Sequence, residues 1–177
     1  MKNKWIKTTL GKIIRVSSGD YLPPTKIDKK GKHNVYGGGD SSSKKTNVYN
    51  FEERVIVIGR VGDAGKVNYT EKKSWVTDNA LYVKKKLVDL DDNFLVILLK
   101  SLNLKKEFQQ SVQPFISGAL IYPLEVNFPT DISLQRKIAS ELNKKAEVID
   151  KLDEQITAYK NELDLIKTSM IKNFLND

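Results

Sequence analysis

Glycine-rich segments are the first candidates for chemistry in this sequence. Gly65-Lys66 could end a phosphate-binding loop, but such a loop needs glycine five residues earlier, where Arg60 stands, and Ser or Thr after the lysine, where Val67 stands. The triple glycine at 37–39 lacks the spacing and the following helix of a dinucleotide fingerprint. We therefore predict that these glycines, with Gly59 and Gly62, permit positive φ in hairpin turns.

Acidic residues could instead hold a metal. Asp63 followed by Glu71-Lys72-Lys73 has the order of acids and lysine found around a nuclease metal, but the segment is predicted to be a polar turn with no buried strand beneath it. His33 is the only histidine, the chain has no cysteine, and no Ser or Thr has an evident base partner. The sequence predicts a non-catalytic binding protein with no metal or cofactor of its own.

Positive charge is concentrated in the front of the chain. Of 30 Lys and Arg and 22 Asp and Glu, residues 1–130 hold 22 basic and 13 acidic residues, whereas residues 131–177 hold 8 and 9. A basic front with a charge-balanced rear is typical of a polyanion-binding protein with a protein-docking tail. The 177 residues are 40% hydrophobic and contain no long uncharged apolar run or apolar signal segment, so we expect a cytoplasmic protein.

The rear is predicted to be one long helix over residues 131–177, with Asp131 or Ser133 as its N-cap. Apolar residues recur there at heptad spacing with a lapse at Lys145, which is typical of a coiled coil. The stripe must pack on a second copy, on another protein or on its own domain, and we favour an intermolecular seam. Its predicted interface residues are Ile138, Leu142, Ile149, Leu152, Ile156, Tyr159, Leu163, Ile166 and Met170.

The front, residues 1–130, alternates short apolar runs with turn-forming clusters and is predicted to be a compact, mixed β-rich domain. The chain as a whole is therefore assigned to the α+β class. Predicted strands lie at 12–16, 55–58, 66–69, 75–76 and 80–83, and residues 119–129 are predicted to be extended. A helix is predicted from Asp92 through Phe108, capped by Asp91 or Asp92 and faltering near Asn103.

Several segments, taken in order, resemble one known family. They are Trp5 with Thr9-Leu10-Gly11-Lys12-Ile13-Ile14, Val35-Tyr36-Gly37-Gly38, Val55–Gly62, Trp75–Ala80, Tyr122-Pro123-Leu124, and Leu134-Gln135-Arg136-Lys137-Ile138 in place of the usual Glu-Gln-x-x-Ile. Together they resemble a target recognition domain and helical conserved region from the specificity subunits of Type I restriction–modification enzymes. Leu134 departs from the acidic residue of that pattern.

The resemblance implies a DNA sequence-recognition subunit that binds one half of a bipartite target. Family members usually carry two recognition domains and two long helices, so this chain resembles a half-size form, natural or truncated, that could pair with a second copy through the helix. The resemblance also implies partner subunits: methyltransferases that use S-adenosylmethionine, and a restriction and translocation subunit that uses ATP and Mg²⁺.

If the chain binds duplex DNA, its basic loops are the expected contacts. The predicted DNA-binding residues are Lys26, Lys29, Lys30, Lys32, Asn34, Tyr36, Ser42, Lys44, Lys45, Arg60, Lys72 and Lys73. Arg60 has an equally weighted alternative, a structural ion pair with Asp63 or Asp78. Trp75 is predicted to be a core aromatic more readily than a base-stacking one, and the lysines at 84–86 to be a solvated strand end.

Three other functions fit parts of the pattern. A homodimeric DNA-binding regulator would share the charge distribution and the coil. A coiled-coil assembly module would use its basic domain to bind an acidic protein. A metal-dependent nuclease would need the segment around Glu71-Lys72-Lys73 to be its active site.

Overall fold

The computed structural model describes residues 4–38, 44–107 and 115–176, so Ser42 and Phe108 lie outside the described residues. The predicted α+β fold is confirmed: short strands and helices fill the front of the chain, and one long helix follows. The chain divides into two compact units, Met1–Arg136 and Lys137–Asp177. We call the first unit the head.

The central sheet of the head has four antiparallel strands in the order β2-β8-β5-β6. They are β2 (Ile14–Ser18), β5 (Ile56–Gly59), β6 (Val67–Tyr69) and β8 (Ala80–Lys86). Every residue of β5 is buried, as its uninterrupted apolar run predicts. The strand predicted at 66–69 is confirmed as Val67–Tyr69, which pairs with β5, while β2 begins and ends two residues later than the predicted strand.

A second sheet has the order β4-β3-β7, formed by β3 (His33–Tyr36), β4 (Lys45–Thr46) and β7 (Trp75–Val76). Strand β3 pairs antiparallel with β4 and parallel with β7. A separate antiparallel ribbon joins β1 (Trp5–Thr9) to β9 (Glu125–Pro129), so the two ends of the head are hydrogen-bonded to each other.

Strand ends from both sheets meet at one edge of the head. Ser18 at the end of β2 pairs with Leu81, and Gly59 at the end of β5 pairs with Ala80. The parallel strands β3 and β7 end side by side at Tyr36 and Val76, and three residues, 77–79, separate Val76 from the start of β8. We call residues 18–22, 37–38, 59–66 and 77–79, which follow or precede these strand ends, the loop edge.

Two glycines of the loop edge explain how the chain turns there. Gly62 and Gly65 have φ values of 69° and 87°, which confirms the predicted turn-forming role for these two. A Cβ on Gly62 would lie 2.2 Å from the Gly38 carbonyl oxygen, and one on Gly65 would lie 2.4 Å from the Lys105 nitrogen. The β5–β6 loop is therefore held tightly against two neighbouring segments.

The first helix, α1 (Asp92–Ser101), begins where predicted, and the Asp91 carboxylate caps it by accepting a hydrogen bond from the Phe94 nitrogen at 3.2 Å. Asn103 has a left-handed φ of 46°, which breaks the helix before α2 (Leu104–Glu107). The prediction of an extended chain from residue 119 was wrong. Gly118–Ile121 form a helical turn, α3, which buries Ile121, and only Glu125–Pro129 are extended.

The long helix α4 spans Ile132–Asn176, 45 residues, which is about 68 Å at 1.5 Å per residue. Of the two predicted caps the structure uses Asp131, whose Oδ1 accepts a hydrogen bond from the Ser133 nitrogen at 2.8 Å. No described helix is both long enough and apolar enough to cross a lipid bilayer.

Gln135, in the first turn of α4, is completely buried in the head. Its Oε1 accepts a hydrogen bond from the Asp91 nitrogen at 2.8 Å, and its Nε2 donates to the Pro129 oxygen at 2.8 Å. The beginning of α4 is thereby tied to the start of α1 and the end of β9. A buried amide with its hydrogen bonds satisfied is the arrangement that burial of a polar side chain requires.

Candidate nucleic-acid interface

A turn before β3 presents three of the predicted DNA-binding lysines, Lys29, Lys30 and Lys32. Asp28 shapes this turn, since its Oδ1 accepts a hydrogen bond from the Lys30 nitrogen at 2.8 Å and its carbonyl accepts one from Gly31 at 2.9 Å. Gly31 lies so close to Thr46 that a Cβ there would be 2.6 Å from the Thr46 nitrogen. The turn is thus fixed against β4 through backbone atoms, and its lysine side chains are left exposed.

The second sheet brings six predicted lysines together, and we call them the β3–β4 lysine cluster. Ile27 and Asp28 pair with β4, and Lys44 lies beside Val35 of β3, whose nitrogen bonds to the Lys44 oxygen at 3.0 Å. Asp28 is the one acidic residue among residues 26–38 and 44–47, and its carboxylate accepts hydrogen bonds from the Asn47 side chain and the Lys30 backbone nitrogen, not from a lysine ammonium group. No member forms a salt bridge with another described residue. The members are Lys26, Lys29, Lys30, Lys32, Lys44 and Lys45.

The other predicted lysines lie in a charge-balanced region. Lys72 forms a salt bridge with Glu53 at 2.9 Å, and the Lys73 Nζ lies 3.9 Å from a Glu52 carboxylate oxygen. These pairs are exposed and weak, but they place a carboxylate beside each ammonium. Predicted Asn34 donates to Glu71 at 2.9 Å, so its amide also faces a carboxylate.

Tyr36 is placed in the core of the head. Only 7% of it is exposed, it packs with Val57, Val76 and Ala80, and its hydroxyl accepts a hydrogen bond from the Glu71 nitrogen at 3.2 Å. A buried ring with an occupied hydroxyl is a structural element, so we leave Tyr36 out of the proposed DNA contacts.

Arg60 is held by the loop edge. Its Nη1 donates to the Ser18 hydroxyl and, at 3.0 Å, to the Asp78 carbonyl oxygen, and its guanidinium carbon lies 4.4 Å from the centre of the Phe115 ring. The alternative prediction, an ion pair of Arg60 with Asp63 or Asp78, is not what the structure shows, because Arg60 contacts Asp78 through the backbone carbonyl and not through the carboxylate. Arg60 thus links the ends of β2 and β7 to the segment before α3.

The loop edge contains an open pocket of about 250 Å³ that the sequence did not reveal. Tyr21, which is 66% exposed, Lys44, Asp78 and Asn79 line it. The backbone beneath is fixed, because Thr77 donates to Tyr36 at 2.8 Å and Arg60 donates to the Asn79 oxygen at 3.0 Å. The side chains of Asp78 and Asn79 have no hydrogen-bond partner in the described part of the chain and are exposed. Their proximity to Lys44 depends on the β3–β7 parallel pairing, which spans too many residues to be read from local sequence.

The apolar stripe of α4 is open to solvent. Leu142, Ile149, Leu152, Ile156 and Tyr159 are 42–67% exposed. Farther along, Leu163, Ile166 and Met170 are 48–67% exposed, while Ile138, near the start of the helix, is partly buried. Side chains of this size gain roughly 1.5–3 kcal/mol each on full burial, so the stripe has the composition of an interface.

The described residues contain no cluster of three or more His, Cys, Asp or Glu suited to a metal ion. The acids that suggested a nuclease are engaged elsewhere: Glu71 accepts from Asn34, and Asp63 lies 3.8 Å from the Lys66 ammonium. Among the described residues, one titratable group has a clearly shifted pKa. Partial burial raises the pKa of Tyr69. The nearby carboxylate of Asp92, which accepts a hydrogen bond from the Tyr69 hydroxyl at 3.1 Å, raises that pKa further.

The sequence matches the family described as Type I restriction modification DNA specificity domain over residues 2–167. The chain belongs to this family. Over its whole length it is 24% identical to S.MgeORF438P of Mycoplasma genitalium, a protein named as a type I specificity subunit, and the match spans 46% of that protein.

Solved structures of this family share the fold. A Type I restriction–modification S subunit from M. genitalium superposes with a TM-score of 0.73 at 22% identity, over 86% of this chain and 42% of the other. A chain from a study of assembly of the type I system gives 0.71 at 16%, over 92% and 43%. The HsdS subunit of Thermoanaerobacter tengcongensis gives 0.62 at 15%, over 86% and 40%. The specificity-domain chain thus spans less than half the length of these relatives.

Proposed function

We propose that this chain recognises a DNA sequence for a Type I restriction–modification system, binding one half of a bipartite target without catalysing a reaction itself. The observation that carries the proposal is the β3–β4 lysine cluster, six lysines with Asp28 as the one acidic residue among residues 26–38 and 44–47, in a chain of the DNA specificity domain family. Ammonium groups that form no salt bridge within the described part of the chain suit the regularly spaced phosphates of a duplex.

Phosphate contacts and base contacts would be divided between neighbouring surfaces. The lysine cluster would fix the position of the duplex, and the loop edge would supply sequence discrimination. Asp78 and Asn79 are suited to this role, because aspartate accepts from cytosine N4 and asparagine forms paired hydrogen bonds with adenine in the major groove. Tyr21 and Lys44 beside them add an exposed ring and a charge. Arg60 would position these loops rather than contact DNA.

The stripe of α4 would hold partner proteins. The expected partners are a second copy of this chain, methyltransferase subunits that carry S-adenosylmethionine, and a restriction and translocation subunit that uses ATP and Mg²⁺. A pair of copies related by a twofold axis would read two identical, inverted half-sites. Sedimentation analysis at tens of micromolar should show a dimer. A folded monomer at that concentration would contradict pairing through α4.

The DNA proposal is tested by removing charge from three cluster members, Lys29→Gln, Lys30→Gln and Lys44→Gln, in one variant. Each lost phosphate contact lowers the slope of log K against log salt by about 0.9, so the triple variant should lose about 2.7 from the slope. Over a fourfold rise in salt, the wild type should therefore lose about 40-fold more affinity than the variant.

Fluorescence anisotropy with a labelled duplex at several salt concentrations measures this slope. The matched control carries Lys84→Gln and Lys85→Gln, two exposed lysines of β8 in the same head, and should keep the wild-type slope. An unchanged slope in the triple variant would show that the cluster is not the DNA-binding surface.

A further inference from the structure

A second lysine-lined pocket lies at the corner between α1 and α2. Its volume is about 410 Å³, and Asp63, Lys66, Lys100 and Lys105 are its charged lining residues, with the amides of Asn68 and Asn103 beside them. Asp63 already lies 3.8 Å from Lys66. Lys100 and Lys105 are exposed and form no salt bridge with another described residue. The pocket therefore carries net positive charge.

The corner that forms this pocket is rigid. Leu104 is 1% exposed, and Asn103 adopts the left-handed conformation that turns the chain from α1 into α2. Gly65 of the β5–β6 loop lies against the backbone of Leu104 and Lys105, leaving no room for a side chain. Lys100 and Lys105 are thus presented from fixed backbone, which reduces the entropy lost when their ammonium groups bind an anion.

This pocket borders the same loop as the pocket beside the β3–β4 lysine cluster. The Asp63 nitrogen donates to the Gly38 oxygen at 2.5 Å, and Gly38 lines the pocket that contains Lys44, Asp78 and Asn79. Asp63 itself lines the α1–α2 pocket. Two pockets with lysines in their linings thus adjoin the two segments that the Asp63–Gly38 hydrogen bond joins, which gives two candidate contacts for one polyanion.

We propose that Lys100 and Lys105 form a second phosphate-binding site for the same DNA duplex, which lies across the β5–β6 loop. The inference rests on the proposed function, since the ligand is the phosphodiester backbone of the DNA that the head binds. Ammonium groups neutralise the phosphates, and the amides of Asn68 and Asn103 are further hydrogen-bond donors. These contacts add affinity and orientation and do not discriminate sequence.

The test is a double variant, Lys100→Gln and Lys105→Gln, with the Lys84→Gln, Lys85→Gln variant as control. Loss of two phosphate contacts should lower the salt slope by about 1.8, so that a fourfold rise in salt weakens the wild type about 12-fold more than the variant. The loss should be the same for duplexes of different sequence. Thermal unfolding of the variant should match the wild type, because both side chains are exposed.

The salt slopes of the two lysine variants distinguish a failure of the second site from a failure of the proposed DNA binding. A wild-type slope for the double variant, together with a lowered slope for the Lys29, Lys30 and Lys44 variant, would overturn the second site and leave DNA binding intact. A wild-type slope in both variants would overturn the proposed DNA-binding surface as a whole. Equal reductions in the double variant and in the Lys84 and Lys85 control would show a general effect of head charge and would also overturn a defined site.

Discussion

Replacing Gln135 by methionine should destabilise the head strongly while leaving its shape intact. Methionine has nearly the same volume but removes the hydrogen bonds that Gln135 makes to the Asp91 nitrogen and the Pro129 oxygen, each 2.8 Å long. Each buried group left unsatisfied costs about 1–3 kcal/mol, which gives a total of about 4 kcal/mol. For a chain of this length that loss corresponds to a fall in Tm of roughly 8–16 °C.

The two tryptophans, Trp5 and Trp75, both lie in the head, so their fluorescence during denaturant or thermal unfolding reports on this unit. The matched control is Arg136→Met at the next position. The Arg136 side chain is 71% exposed and pairs at 3.2 Å with Asp91, whose side chain is only 14% exposed. Because water screens the exposed guanidinium and Asp91 keeps its hydrogen bond from the Phe94 nitrogen, loss of this pair should cost about 1 kcal/mol. If Gln135→Met costs no more than Arg136→Met, the buried hydrogen bonds do not stabilise the junction between the head and α4.

Two further perturbations test other parts of the structure. A double variant, Ile149→Asp with Ile156→Asp, should weaken self-association at least ~100-fold in sedimentation experiments. The reason is that it places two carboxylates in the apolar stripe of α4, where the isoleucines are about half exposed in the single chain and would be buried in a dimer. The control Leu165→Asp changes a residue that is off the stripe and 72% exposed, so it should not weaken self-association. If it weakens self-association as much as the double variant does, the stripe is not the interface. The neutral Tyr69 hydroxyl should contribute its full stabilisation of the folded state below pH 10, the ordinary pKa of tyrosine. That contribution should be lost as pH rises through the raised pKa of Tyr69 in the folded state. The difference in unfolding free energy between wild type and Tyr69→Phe should therefore shrink at high pH, and a constant difference would contradict the raised pKa.

Local sequence was sufficient for the elements whose signals are themselves local. The uninterrupted apolar run at β5 predicts a buried strand, Asp91 and Asp131 precede helices at capping positions, and the heptad spacing predicts α4. In each case the residues that cause the element to form lie within the element or directly beside it in sequence. The positive φ values of Gly62 and Gly65 were predictable for the same reason, because a glycine in a turn-forming segment is itself a local signal.

Pairings between distant segments could not be predicted in the same way. The β1–β9 ribbon joins residues more than a hundred positions apart, and β3 pairs in parallel with β7 although β4, β5 and β6 lie between them in sequence. These pairings decide which loops become neighbours. For that reason the pocket containing Tyr21, Asp78 and Asn79, and the one containing Lys100 and Lys105, emerged only from the structure.

Single residues were hardest to assign where one side chain had two plausible roles. Tyr36 lies among predicted surface residues in sequence but is buried at the end of β3, and Arg60 uses its guanidinium to join loops. Gln135 shows the reverse case. In the family resemblance, Gln135 is one position of a helix-start motif, and the motif does not explain why glutamine is needed there. The structure does explain it, because the amide is completely buried and bridges two backbone segments.

Selection of duplexes from a random-sequence pool by the purified protein, alone and with a methyltransferase subunit of its system, tests sequence recognition most directly. The recovered duplexes should share a short motif, present as two inverted copies at a fixed spacing when the protein is dimeric. Binding to that motif should exceed binding to a scrambled duplex by at least ~1,000-fold at physiological salt. Recovery of duplexes with no common motif, by protein that is folded and associated with its partner, would contradict the assignment of sequence recognition to this chain.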